Sequence, residues 1–173
     1  MDHKWITLSL VILSLSFFSL NSYSQYVAGF SGGSHYDGGS IRSSGEKVII
    51  VNPNRHIFQA YDASGRLVRS GMVTAGNSWC PDIRRPCKTR AGSFRIFSLG
   101  GPGCKSKRYP LPHGGAPMPY CMFFNGNQAL HGSYEVVPGR NVSHGCVRIH
   151  VNDAEWLRYN FATYGTKVIV KPY

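Results

Sequence analysis

The sequence predicts a mostly β fold, a sandwich or flattened barrel carrying one short helix, and three observations lead there. Short apolar or alternating segments recur between residues 47 and 171, each bounded by turn residues. Only one stretch, just after Cys146, has apolar residues at helical spacing. About 127 residues, Lys47 to Tyr173, carry the foldable pattern, which suits one compact domain with its own core.

Lys47-Val-Ile-Ile-Val-Asn52 and Arg55-His-Ile-Phe-Gln-Ala-Tyr61 read as two strands, and Asn-Pro-Asn between them is hairpin chemistry. Asp62-Ala-Ser-Gly65 turns the chain into a third strand, Arg66 to Ala75. Ser93 to Phe97, Tyr120 to Phe124, Gln128 to His131 and Lys167 to Lys171 complete the set. For the helix, Asn152 is the expected N-cap and Glu155 its capping-box partner. Ala154, Leu157, Phe161 and Tyr164 form the buried stripe, and Gly165 is the stop.

The first 24 residues read as an export signal. Lys4 precedes an apolar core from Ile6 to Leu20, and Ser22 and Ser24 bracket Tyr23 in a cleavage-site pattern. That core is shorter than the roughly 20 residues a membrane span needs, so no stable anchor is expected after cleavage. Residues 25–46 are Gly/Ser-rich and read as a flexible lead-in. The expected location is the periplasm, or outside the cell in the envelope.

Nineteen Lys and Arg against eight Asp and Glu leave a net charge of +11, and loss of Lys4 and Asp2 with the signal does not change it. The basic residues lie scattered in loops (Arg84, Arg85, Lys88, Arg90, Lys105, Lys107, Arg108) with no nucleic-acid motif, so no nucleic-acid partner is expected. An anionic wall polymer or simple electrostatic adhesion fits the charge as well.

The cysteine count is odd. Cys80 and Cys87 flank a short loop, and Cys104 and Cys121 flank a Pro/Gly-rich excursion. Four cysteines allow three pairings; the local one, Cys80–Cys87 with Cys104–Cys121, is preferred and leaves Cys146 free in an oxidising compartment. Cys146 lies in Ser143-His-Gly-Cys-Val-Arg148, a few residues after Ala129-Leu-His-Gly132. A thiolate is the competent form of a cysteine nucleophile, and a nearby imidazole is the usual means of making one near neutral pH. Glycines beside both groups let backbone N–H groups approach a developing oxyanion. Three alternatives stay open: a Cys146 that is an inert buried thiol or forms an intermolecular disulfide, a zinc site drawing on His131, His144, Cys146 and His150, or a non-enzymatic wall-binding or adhesion module. His35, His56 and His113 carry no motif.

At these residues the chain resembles the L,D-transpeptidase (YkuD-type) catalytic domain. The motif is His131-Gly132 followed by Ser-His-Gly-Cys-hydrophobic-Arg at Ser143 to Arg148, and Lys88-Thr-Arg-Ala-Gly-Ser-Phe-Arg-Ile96 resembles the family's Thr-Pro-x-Gly-x-Phe segment. The cysteine-bearing insertion is similar to the subgroup that includes the enhanced-entry protein of Legionella. Two departures stand out: Arg90 replaces the usual proline, and His150 stands where a small polar residue is commoner.

The resemblance implies a β-sandwich cysteine acyltransferase needing no cofactor or metal. Cys146 would attack the carbonyl of an L-centred residue, typically meso-diaminopimelate at position three of a peptidoglycan tetrapeptide stem, releasing D-alanine. An amine from a second stem, or from an envelope protein, would resolve the thioester; water would give carboxypeptidase activity. His131 is implied as base, oriented by the Gly132 carbonyl. Backbone N–H groups of His144, Gly145 and Cys146 are implied oxyanion donors, and Ser143, His144 and Arg148 shape the loop and bind substrate.

Overall fold

A computed structural model describes residues 39–173. The proposed export signal and residues 25–38 of the Gly/Ser-rich segment lie outside the described residues. Nine strands form one sheet: β1 (Val48–Asn52), β2 (Ile57–Tyr61), β3 (Leu67–Thr74), β4 (Gly92–Arg95), β5 (Ser98–Leu99), β6 (Met122–Asn125), β7 (Gln128–Gly132), β8 (Val147–Ile149) and β9 (Lys167–Val170). Their order is β4-β9-β1-β2-β3-β8-β7-β6-β5. The sheet curls, because Phe94 on β4 and Phe124 on β6 meet near its two ends with ring centroids 5.5 Å apart.

Inside the curl the alternate residues of each strand make the core. Ile49, Val51, Phe58, Ala60, Val73, Leu130, Val147, Ile149, Val168 and Val170 are all buried there. Most neighbours pair antiparallel, but β1–β9 and β7–β8 are parallel. The second parallel pair is the one that matters for the site: it sets the last three residues of β7 beside β8.

The turn after β2 shows how local chemistry fixes the register. Asp62 Oδ1 accepts the N–H groups of Ser64 and Arg66, and Gly65 takes φ +88°. A Cβ at Gly65 would sit 2.2 Å from the Ile41 carbonyl oxygen, so only glycine fits. Ile41 N–H in turn donates to the Gly65 carbonyl (2.9 Å), and Glu46 pairs with Arg95 and Lys167. The last residues of the Gly/Ser-rich segment are thus bonded to the domain rather than lying free of it.

The helix differs from its sequence reading. α1 spans Val151–Trp156 and continues as a π-helical turn, Leu157–Phe161. His150, not Asn152, is the N-cap, and no side chain caps the end. Strand β8 runs to Ile149 and delivers the chain directly into the helix, so the pairing partner of β8 sets the start ahead of any capping preference. Glu155 accepts the Tyr120 hydroxyl (2.9 Å) instead of reaching back, while Asp153 pairs with Arg69 at 2.7 Å. Ala154, Leu157 and Phe161 are buried on the sheet as expected. Tyr164 is not on the stripe: Ala162 is already extended, Tyr164 is exposed, and Gly165 (φ +86°) serves the turn into β9.

Candidate active site

Cys80–Cys87 and Cys104–Cys121 are disulfide-bonded, and Cys146 is the free thiol. Cys146 immediately precedes β8, and His131 lies on β7 with Arg148 as its partner in the parallel register. Side chains alternate along a strand, so Cys146, two residues before Arg148, shares its face and that of His131. The opposite face, with Leu130, Val147 and Ile149, is core. Cys146, His131 and Arg148 all line one cavity of about 880 Å³.

His131 Nδ1 lies 2.8 Å from the Gly132 carbonyl oxygen. A carbonyl only accepts, so Nδ1 carries the proton and Nε2 keeps the lone pair of a base. Burial disfavours the imidazolium most; the Gly132 carbonyl favours it and Arg148 opposes it, leaving the pKa at about 4. Burial likewise pushes the Cys146 thiol up, against the Ala129 backbone N–H and Arg148, which favour thiolate. The thiol donates to the Asn127 carbonyl at 3.6 Å. Both shifts run toward the uncharged form, thiol for Cys146 and imidazole for His131.

The nucleophile loop is shaped by Ser143. Its Oγ accepts the Gly145 N–H (3.1 Å) and donates to the Cys146 carbonyl (2.5 Å), while its backbone is bonded to Ala75 and Asn77. Gly145 takes φ +115°, and a Cβ there would lie 3.2 Å from Gln128 Nε2. Its N–H is committed to Ser143, so of the three backbone donors expected, His144 and Cys146 are the two without a partner among the described residues. His144 Nε2 lies 2.8 Å from an Asp82 carboxylate oxygen, and the Tyr109 ring packs on its imidazole with centroids 4.5 Å apart. Arg148 bonds Glu135 at 3.1 Å.

The structure does not gather the four candidate zinc ligands. His131 Nδ1 is on Gly132, His144 is on Asp82, and His150 does not line the cavity. Cys80, Asp82 and His144 do lie close together, but the Cys80 sulfur is in a disulfide and is no thiolate ligand.

Sequence reasoning missed the residues that hold this loop from behind. Buried Thr89 accepts the Gly76 N–H and donates to the Gly145 carbonyl, both at 2.9 Å. Tyr173 Oη accepts the Thr89 N–H and donates to the Gly76 carbonyl. Gln128 bonds Lys88, Arg90 and Asn125 together. Thr89 lies in a recognised segment, which was a signal. Asp82 and Tyr109 meet His144 across long sequence separations and had none. The Arg90 departure has a physical reason: its backbone N–H donates to Gln128 Oε1 (3.1 Å), a bond that proline cannot make.

Residues 46–170 match the family model for the YkuD L,D-transpeptidase catalytic domain. The chain belongs to that family. Among solved structures, the L,D-transpeptidase of Xylanimonas cellulosilytica is similar at 26% identity and TM-score 0.63, over 76% of this chain and 63% of that one. L,D-transpeptidase 3 of Mycobacterium tuberculosis, solved with a faropenem-derived adduct, shares the fold at 23% identity and TM-score 0.58, over 73% and 60%. The Stackebrandtia nassauensis enzyme shares it at 20% identity and TM-score 0.59, over 77% and 58%. The chain thus spans about three fifths of the length of these family structures. No curated protein shows significant sequence similarity to it.

Proposed function

We propose that this chain is an exported peptidoglycan L,D-transpeptidase acting in the periplasm, or secreted to the cell envelope. The observation that carries the reading is the pairing of one free thiol with one base. Cys146 and His131 share a strand face and a cavity, and the Gly132 carbonyl leaves His131 Nε2 free to accept a proton.

Cys146 Sγ attacks the carbonyl carbon of the third, L-centred residue of a tetrapeptide stem as its proton passes to His131 Nε2. The oxyanion forms toward the N–H groups of His144 and Cys146. Collapse breaks the bond to D-alanine, whose nitrogen takes the proton back from His131, and a thioester remains. An amine from a second stem attacks that thioester, loses its proton to His131, and restores the thiol with a 3→3 cross-link. An envelope protein's amine serves by the same steps, and water in its place gives a carboxypeptidase.

Intact mass after incubation with a carbapenem, followed by mapping of the adduct, tests the nucleophile. One adduct on Cys146 is expected, and none with Cys146→Ala, with both disulfides still mapped. Cross-linking of stems by Cys146→Ala would refute the assignment, and a wild-type thiol that stays unmodified would favour a wall-binding module. Product analysis with a stem donor then reads the acceptor, since cross-linked dimer and tripeptide differ in mass.

A further inference from the structure

The cavity that holds Cys146 is lined by five cationic side chains, Arg85, Lys105, Lys107, Arg108 and Arg148, and by one carboxylate, Glu135. Glu135 is already paired with Arg148. Each of the other carboxylates among residues 39–173 is also committed: Glu46 to Arg95 and Lys167, Asp62 to Arg66, Asp82 to His144, Asp153 to Arg69, and Glu155 to the Tyr120 hydroxyl. None is paired with Arg85, Lys105, Lys107 or Arg108. Four exposed cations therefore line the cavity without a carboxylate partner among the described residues.

Their loops are braced. Arg85 sits opposite Cys80 in an antiparallel bridge, within the loop that Cys80–Cys87 closes. Lys105, Lys107 and Arg108 lie in the excursion closed by Cys104–Cys121. There Ser106 N–H donates to the Ala116 carbonyl (2.8 Å) and Gly115 N–H to the Ser106 carbonyl (2.7 Å). The charge is thus built into two stapled loops that meet at His144, where Asp82 bonds the imidazole and Tyr109 packs on it. Such a cluster attracts anions and repels cations before any contact forms, and the low-dielectric cavity walls focus the field.

We propose that this rim sorts acyl donors by charge, selecting stem peptides whose carboxylates are free over stems in which they are capped as carboxamides. The inference rests on the transpeptidase reading and makes the two disulfide-closed loops its specificity elements. Lys105, Lys107 and Arg108 act on capture, and the chemistry stays with Cys146 and His131.

The test compares two synthetic tetrapeptide stems ending in D-alanine, identical except that the internal carboxylates are free in one and carboxamides in the other. Turnover is measured with the full purified protein, and carbapenem acylation of Cys146 is followed in parallel. At about 20 mM salt the free-carboxylate donor should show kcat/KM about ten-fold or more higher. The ratio should shrink steadily toward parity near 1 M salt, where the screening length is about 3 Å. The triple variant Lys105→Gln, Lys107→Gln, Arg108→Gln, with its disulfides mapped intact, should lower the ratio to about two- to three-fold. A ratio near one, a preference for the carboxamide, or a ratio insensitive to salt and to the triple variant overturns the proposal. If Cys146 is still acylated by the carbapenem, the transpeptidase reading survives that result. No adduct and no turnover of either stem overturns both.

Discussion

The resting state of the Cys146–His131 pair makes a prediction that separates this site from a standing ion pair. His131 is held at a pKa of about 4 against an ordinary value of 6.5. That difference corresponds to about 3 kcal/mol against the imidazolium. In the folded protein the base is then almost fully neutral at pH 5.5, whereas an unperturbed histidine would be only about one tenth neutral there. Carbapenem acylation of Cys146, followed by stopped-flow or timed intact mass, should lose its rate on the acid side only near pH 4. Iodoacetamide, which reports thiolate directly, should react slowly at pH 7 and keep accelerating past pH 9, because burial raises the thiol.

The same shift has a sign in stability. The folded pKa lies below the unfolded one, so between pH 4 and 6.5 the unfolded chain binds the extra proton. His131 therefore gives its full contribution above pH 6.5, and that contribution declines as pH falls toward 4, by at most about 3 kcal/mol. Urea midpoints across this window, compared with His131→Gln, isolate the effect. An acylation limb near pH 6.5, or an iodoacetamide rate flat from pH 5 to 8, would refute the reasoning. The first would mean a solvated imidazole and the second a thiolate already formed.

Further substitutions test the loop that presents Cys146. Gly145→Ala forces a side chain onto φ +115° and crowds Gln128, so kcat should fall about 100-fold or more as the neighbouring donors move, read by steady-state turnover with disulfides mapped intact. Thr89→Val leaves the Gly76 N–H and the Gly145 carbonyl without their buried partner and should cost about 2–3 kcal/mol in urea unfolding. Tyr109→Phe keeps the ring on His144 and should behave as wild type, whereas Tyr109→Ala should lower kcat with little change in urea midpoint. Equal losses from both Tyr109 variants would show that the ring contact is not what matters.

What could be read from the sequence was whatever depends on near neighbours. Apolar patterning and the turns beside it placed β1, β2, β3 and β9 within two residues. The disulfides were legible because each closes a short loop. The two-residue β5 was not, since its pairing with β6 comes from the sheet and no periodicity can announce a strand so short. The helix start was misplaced for the same reason: a cap preference is worth about 1 kcal/mol, and the β8 pairing that delivers Ile149 outweighs it. Within the site, His131, Cys146 and Ser143 announce themselves through glycine-flanked motifs. Thr89 and Tyr173 act through bonds spanning 56 to 97 positions, which one sequence cannot display.

Arg148 and Glu135 set the charge felt by the Cys146–His131 pair inside a strongly cationic cavity. Arg148 acts in the same sense on both partners, disfavouring imidazolium and favouring thiolate, so it helps the first half of the proton transfer and opposes the second. Glu135, paired with its guanidinium on the solvent side, moderates that field. Removing the carboxylate should therefore push the acid limb of His131 below pH 4 while easing release of the thiol proton. Glu135→Gln tests this with the same two reagents: iodoacetamide alkylation should quicken at pH 8, and the carbapenem limb should move to lower pH. Movement of both in the opposite direction would refute the account of Glu135 as a moderator of positive charge at the pair.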